Sequence, residues 1–341
     1  MNRRGVTRCL VAAALFGASA PATSLLAGDM PTLALAGLLY IGAALAVVPS
    51  VARHRPRAQS LRSGGRPLAI AVIFGGALGP ALLVAGLEQT PAATASLLLN
   101  FELVATLIIA AVVFREHLGR RLVSAAGLVV AAGLLLVWEP GAPFDTSGLL
   151  IIGACVCWGI DNSVTARIDQ LSPEQITLTK GAVAGTANLI LGVAVAAAWN
   201  VEFRQLVAAL AIGALGYGVS ITLWVKGARD LGAARGQVIF ATAPFIGAVL
   251  AWTLLGESIS VVQAVALPLA AAGVALSLGT SHEHAHRHEP IEHEHEHTHD
   301  DGHHSHTHAG GDVGRHSHRH RHEPVHHAHP HVPDLHHGHT H

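Results

Sequence analysis

The 341 residues are 51% hydrophobic and only 13% charged, with a formal net charge of −1 when histidine is neutral and a mean hydropathy of +0.45. Soluble globular domains carry roughly 25% charged residues, so a soluble enzyme does not fit. No nucleotide-binding loop, zinc-hydrolase spacing or Ser/His/Asp arrangement stands in the apolar part to suggest catalysis. The near-neutral balance conceals two compositions. Up to Thr280, 17 Lys/Arg face 12 Asp/Glu; beyond it, 4 Arg face 10 acids. All histidines except His54 and His117 gather from His282 onward. Cys9, Cys155 and Cys157 lie in apolar stretches, in neither zinc-site nor disulfide spacing.

Ten apolar segments are long enough to cross a hydrocarbon layer of roughly 30 Å. They run at 9–27, 31–52, 67–87, 92–114, 121–138, 148–166, 174–199, 206–225, 236–255 and 259–279. Arg3, Arg4 and Arg8 before an apolar run ending in Ala18-Ser19-Ala20 resemble a signal peptide. Apolar sequence continues past Pro21 to Ala27, however, which favours a membrane helix. Positive loops are retained on the cytoplasmic side. With the N-terminus inside, the inner loops hold Arg53, Arg55, Arg57, Arg62 and Arg66, then Arg115, Arg120 and Arg121, then Arg167, then Lys226, Arg229 and Arg235. The outer loops hold only Arg204. The expectation is ten spans with both termini cytoplasmic.

The chain also repeats itself. Gly76-Ala77-Leu78-Gly79 in the third segment returns as Gly213-Ala214-Leu215-Gly216 in the eighth, and Ala92-Ala93 through Glu116 lies on Ala233-Ala234 through Glu257 without a gap. Five is an odd number of crossings, so the second copy of a five-helix unit stands inverted, an arrangement used for alternating access around a midplane site. Phe16-Gly17 and Trp158-Gly159 open the two units; Phe114-Arg115-Glu116 and Leu255-Gly256-Glu257 close their fourth helices. In these motifs the chain resembles the EamA family of the drug/metabolite transporter superfamily, over about residues 6–280. The resemblance implies a ten-helix secondary transporter, often an exporter of small organic solutes, with a central cavity. One departure is Glu102-Leu103, which stands where the second unit has Ala243-Pro244. The fold class expected is all-α: a polytopic membrane protein with ten transmembrane helices in two inverted five-helix repeats, 1–145 and 146–280, followed by a disordered His-rich tail, 281–341.

Ionisable groups inside a membrane cost about 2.5–3.5 kcal/mol each at a helix centre on insertion scales, so each requires a reason. Glu102 lies in the fourth segment two residues after Asn100, which puts their side chains about 200° apart on an α-helix. An apolar surrounding disfavours a charged carboxyl, which suits proton binding and release. Glu102 is therefore a substrate or coupling group, or else a neutral carboxyl hydrogen-bonded to a neighbouring helix. Asp161 and Lys180 fall at similar depth on the sixth and seventh segments, and an ion pair is expected. It either holds those helices in register or serves as an inner gate, with Asn162 and Asn188 nearby. Gly79-Pro80, Gly216-Tyr217-Gly218, Pro21 and Pro244 interrupt helices and are candidates for a solute path. Trp158, Tyr217 and Phe245 are candidates for an aromatic wall. The pairs Gly75/Gly79 and Gly181/Gly185 read as helix-packing contacts.

In the tail, His293 to His299 alternates imidazole with polar residues, so in an extended chain the ligands fall on one side about 7 Å apart. His282, His284, His286, His288, His293, His295, His297, His299, His303, His304, His306 and His308 are the metal-ligand candidates. Neutral imidazole suits Zn, Ni, Co and Cu. No resident cofactor is required.

The favoured function is efflux of a metabolite or drug-like solute, with the tail binding metal. The alternatives are a transition-metal exporter and a membrane-anchored metal store or sensor. Expected partners are the lipid bilayer, a small-molecule substrate and divalent transition metals, with a homodimer left open. Nucleic acid is not expected, since the tail is acidic. The expected location is a bacterial-type inner (plasma) membrane.

Overall fold

The computed structural model describes residues 3–53, 65–113, 120–137, 146–165, 168, 171–196, 199–231, 239–278, 282–287, 292–297, 316–321 and 326–331. They divide into two compact units, one through Thr280 and the other Ser281–His337. The first is helical: α1 Arg3–Ser24, α2 Thr32–Arg53, α3 Gly65–Leu87, α4 Ala92–Leu98, α5 Phe101–Val113, α6 Arg120–Val137, α7 Thr146–Thr165, α8 Pro173–Val195, α9 built of Phe203–Gly213, Ala214–Val219 and Ser220–Leu231, α10 Ala243–Leu254 and α11 Val261–Leu278.

Eight helices among the described residues are long and apolar enough to cross a membrane, the pair α4–α5 counting as one. The ninth and tenth predicted segments take the form of the shorter apolar helices Ala243–Leu254 and Val261–Leu276. The ninth starts late because residues 241–242 form a turn and Pro244 sits in the first helical turn, where a missing N–H costs nothing. Large apolar side chains face outward on several helices, Leu10, Leu45, Ile108, Leu134 and Ile190 among them. Such a surface aggregates in water and is covered by a bilayer.

Three helices start on a reciprocal cap with glutamine at its third position. Ser172 and Gln175 exchange hydrogen bonds at the head of α8, as do Ser260 and Gln263 at the head of α11, and Gln205 Oε1 accepts the Glu202 amide before α9. Glutamine at the third position satisfies an otherwise orphaned amide without placing a charge there.

Within α3, α8 and α9 the stretches Ala71–Leu78, Gly181–Gly185 and Ala214–Val219 are π-helical. The α3 and α9 stretches both overlap the repeated Gly-Ala-Leu-Gly motif.

Glycine sets how closely the helices meet. A Cβ on Gly213 of α9 would lie 1.9 Å from the Leu39 carbonyl oxygen of α2, and one on Gly42 would lie 2.2 Å from Leu210 O. Across α2 and α8, Gly37 and Gly192 meet backbone at 2.5 and 2.3 Å in the same way. These contacts run between the halves of the chain. So do those of the opening helices: α1 packs on α9 and α10, while α7 packs on α3 and α5. Gly17 of α1 sits against the Ala243 carbonyl, and Gly159 of α7 against Ala105. The two halves interleave, and the principal apolar core draws residues from both.

In the second unit, β1 His282–Arg287 pairs antiparallel with β4 His326–His331, and β2 Glu292–His297 with β3 His316–Arg321. A chain without fixed structure was expected there. The period-two alternation of histidine with other residues is the pattern of extended backbone, and the register sets histidine opposite histidine, as at His284↔His329 and His295↔His318.

Candidate functional site

The fourth apolar segment is not one helix. Its turns tighten at residues 99–100, where the amides of Asn100, Glu102 and Leu103 each donate to the carbonyl three residues back, at 3.1–3.2 Å. Asn100 causes this locally: its Nδ2 donates to Leu97 O at 2.8 Å, competing with the backbone for that acceptor. The second half breaks at the corresponding place. Thr242 Oγ1 donates to Ile239 O at 2.6 Å and Pro244 opens α10. Glu102-Leu103 therefore does not abolish the interruption that Ala243-Pro244 provides; Asn100 supplies it instead. Asn100 is itself buried and turned onto its own backbone, so it is not grouped with the ionisable residues. Pro244 begins a helix rather than kinking one.

The break leaves Glu102 in the first turn of α5, where the partial positive charge of the helix N-terminus favours a carboxylate. Asn162 of α7 donates from Nδ2 to Glu102 Oε1 at 2.6 Å, and the Asn162 side chain is exposed. One residue earlier on α7, Asp161 is buried. Its Oδ2 lies 2.5 Å from Lys180 Nζ on α8, and its Oδ1 accepts from Thr165 Oγ1 at 3.0 Å. The two side chains of the ion pair are only 7% and 13% exposed, so the positive charge is already matched. The cluster Glu102, Asp161 and Lys180 thus carries one ionisable carboxyl without a cationic partner of its own.

Gly75 in the π-helical stretch of α3 is the hub beneath this pair. A Cβ there would lie 2.1 Å from Asp161 Oδ2. Its carbonyl oxygen accepts from Tyr40 Oη at 2.5 Å and from Trp158 Nε1 at 3.3 Å. Two residues on, Ala77 O accepts from Asn188 Nδ2 at 3.0 Å. A wide turn loosens the ordinary ladder and turns carbonyls toward neighbouring helices. Tyr40 and Tyr217 rings stand 5.7 Å apart, and Phe16 meets Tyr217 edge-on at 6.0 Å and Phe240 at 5.3 Å.

Sequence reasoning placed Glu102, Asp161, Asn162, Lys180, Trp158 and Tyr217 among the candidates; the structure brings the first five together around α3, α5 and α7, while Tyr217 of α9 stands apart against Phe16 and Tyr40. It missed Tyr40, Thr165 and the special position of Gly75, which had read as plain helix packing. The signal for Tyr40 was faint: the chain holds two tyrosines, and they pack on one another. Of the histidines named above, His282, His284, His286, His293, His295 and His297 lie on strands, while His288, His299, His303, His304, His306 and His308 fall outside the described residues. Among the described residues, no three or more His, Cys, Asp or Glu side chains are grouped to hold a metal ion.

This is a helical membrane protein with ion-pairing and hydrogen-bonding side chains inside apolar helices. Residues 3–138 and 146–279 each match the EamA-like transporter family, so the chain belongs to that family and contains its domain twice. An uncharacterized transporter from Methanothermobacter thermautotrophicus is 24% identical over 209 residues, covering 58% of this chain and 60% of the relative. The chain thus spans less than two thirds of that relative's length. A solved crystal structure superposes with a TM-score of 0.56 at 20% identity, covering 80% of this chain and 96% of the other, a likeness of fold.

Proposed function

We propose that the chain is a secondary transporter that moves a small organic solute out of the cell by alternating access, with Glu102 as the group that binds solute or a coupling proton. The observation that carries this reading is Glu102 in the first turn after a helix break, held by the exposed Asn162 beside the neutralised Asp161–Lys180 pair. Discontinuous helices meeting at mid-membrane are a recurring way to build a solute site. An ionisable group there marks a substrate or proton path by default. Ten crossings in two inverted five-helix units, with both termini in the cytoplasm and the chain in a bacterial-type plasma membrane, complete the proposal; the distribution of arginine between loops supports it.

The test is flux in proteoliposomes under an imposed pH gradient, across a panel of organic solutes. Glu102→Gln keeps the shape and a hydrogen-bonding group for Asn162 but removes the titrating oxygen. Proton-driven flux is expected to fall by about tenfold or more. Equal flux in both proteins overturns the role of Glu102.

The His-rich tail is proposed to bind Zn, Ni, Co or Cu on the cytoplasmic side without supplying the pore. Removal of residues 282–341 is expected to abolish most Zn binding in a calorimetric titration while leaving organic-solute flux within about twofold of the full chain. Loss of flux together with metal binding would favour metal as the cargo instead.

A further inference from the structure

The loop after α10 reaches across to the other half of the chain. Gly256, with φ at 72°, turns the backbone sharply, and the next residue, Glu257, directs its carboxylate at the start of α4. Its Oε1 accepts from the Ala92 amide at 2.7 Å and its Oε2 from the Ala93 amide at 2.9 Å. The residue ahead of that helix is Pro91, which makes no side-chain cap, so these amides are satisfied from a residue 165 and 164 positions away. Every other carboxamide or carboxylate cap described above comes from within three residues.

Two further contacts join the helices on either side of this loop to the same helix. Buried Gln263 donates from Nε2 to Thr94 Oγ1 at 2.9 Å, and its Oε1 is held by Trp252 Nε1 at 3.1 Å. Gly247 of α10 lies against Ser96, whose hydroxyl is buried and has no hydrogen-bond partner.

We propose that Glu257 is a releasable latch: its carboxylate, bound to the Ala92 and Ala93 amides, holds the second half of the transporter against α4 at one mouth, and separating the halves there requires it to let go. A cap made within one helix survives rigid movement of that helix. A cap supplied from the opposite half does not, so its strength sets how often this mouth opens. Charge matters to that strength, because an anionic acceptor at a helix N-terminus gains both from charge-assisted hydrogen bonds and from the helix dipole. In the gapless repeat alignment Glu257 corresponds to Glu116, which lies outside the described residues.

The proposal rests on the transporter reading, but its test needs no solute, so each can fail alone. Ser96→Cys replaces a hydroxyl that makes no hydrogen bond and places a thiol just beneath the latch. Its labelling by a water-soluble maleimide is measured on the purified full chain in detergent, counted above the parent protein with its native cysteines. Glu257→Ala is expected to raise the labelling rate by about tenfold and Glu257→Gln, which keeps one acceptor, by less. The unfolding temperature and size-exclusion profile of each variant separate local opening from general loosening. Should Glu257→Ala fail to assemble, Glu257→Gln carries the comparison. Equal labelling in all three proteins, or labelling that rises only in step with lost thermal stability, would make Glu257 a static cap and overturn the proposal.

Discussion

A Lys180→Met protein is expected to be destabilised by about 3–5 kcal/mol, enough to prevent most of it from surviving detergent extraction. The reason lies in what is left behind. Asp161 is buried against Gly75, with its side chain 7% exposed, and Lys180 Nζ at 2.5 Å is the cation that offsets its charge. Thr165 Oγ1 at 3.0 Å satisfies one oxygen but supplies no charge. Removing the lysine leaves a carboxylate that must be buried unpaired or forced to hold a proton. The double variant Asp161→Asn, Lys180→Met removes both charges and is expected to recover most of the lost stability, because the desolvation of two ions is then no longer required. Fluorescence-detected size exclusion after a temperature series compares the three proteins. A double variant no more stable than Lys180→Met would show that the pair does more than cancel charge.

Gly213→Leu is expected to produce the second large effect. A Cβ at Gly213 falls 1.9 Å from Leu39 O, 2.6 Å from its carbon and 2.7 Å from its Cα. These are backbone atoms in the middle of α2 and cannot rotate aside, so α2 and α9 must part. Overpacking ordinarily costs about 1–3 kcal/mol and more where nothing can yield, and here every additional side-chain atom deepens the conflict. Gly127→Leu on α6 is the matched control, since a Cβ there meets nothing within 4 Å. Folded yield after extraction is expected to collapse for Gly213→Leu and to remain near that of the parent for Gly127→Leu. Similar yields for both would show that the α2–α9 contact does not support the fold.

The helices were the most legible part of the chain because length and apolarity alone define a membrane span. The second segment, read as 31–52, is Thr32–Arg53; the fifth, read as 121–138, is Arg120–Val137. The Asp161–Lys180 pair could be anticipated because two opposite charges at similar depth on successive helices each require a partner. The break at Asn100 was harder to see, since asparagine offers its side chain to the backbone in only some settings and nothing in the period of the helix announces it. Tyr40 and Gly75 were not legible at all. Their roles depend on which helices lie side by side, and the interleaving of the halves brings α7, from far along the chain, against α3, which also packs on α2.

The π-helical stretches have a mechanical consequence. A regular α-helix resists bending because any change of curvature stretches its hydrogen bonds all at once. The widened turn at Ala71–Leu78 has already exchanged part of that stiffness for side-chain partners, and Gly181–Gly185 and Ala214–Val219 are widened in the same way. Lys180 immediately precedes one of them and Gly75 lies within another. The most compliant portions of two long rods, α3 and α8, are therefore set beside the buried charges, so flexing there redistributes hydrogen bonds among neighbours at little elastic cost.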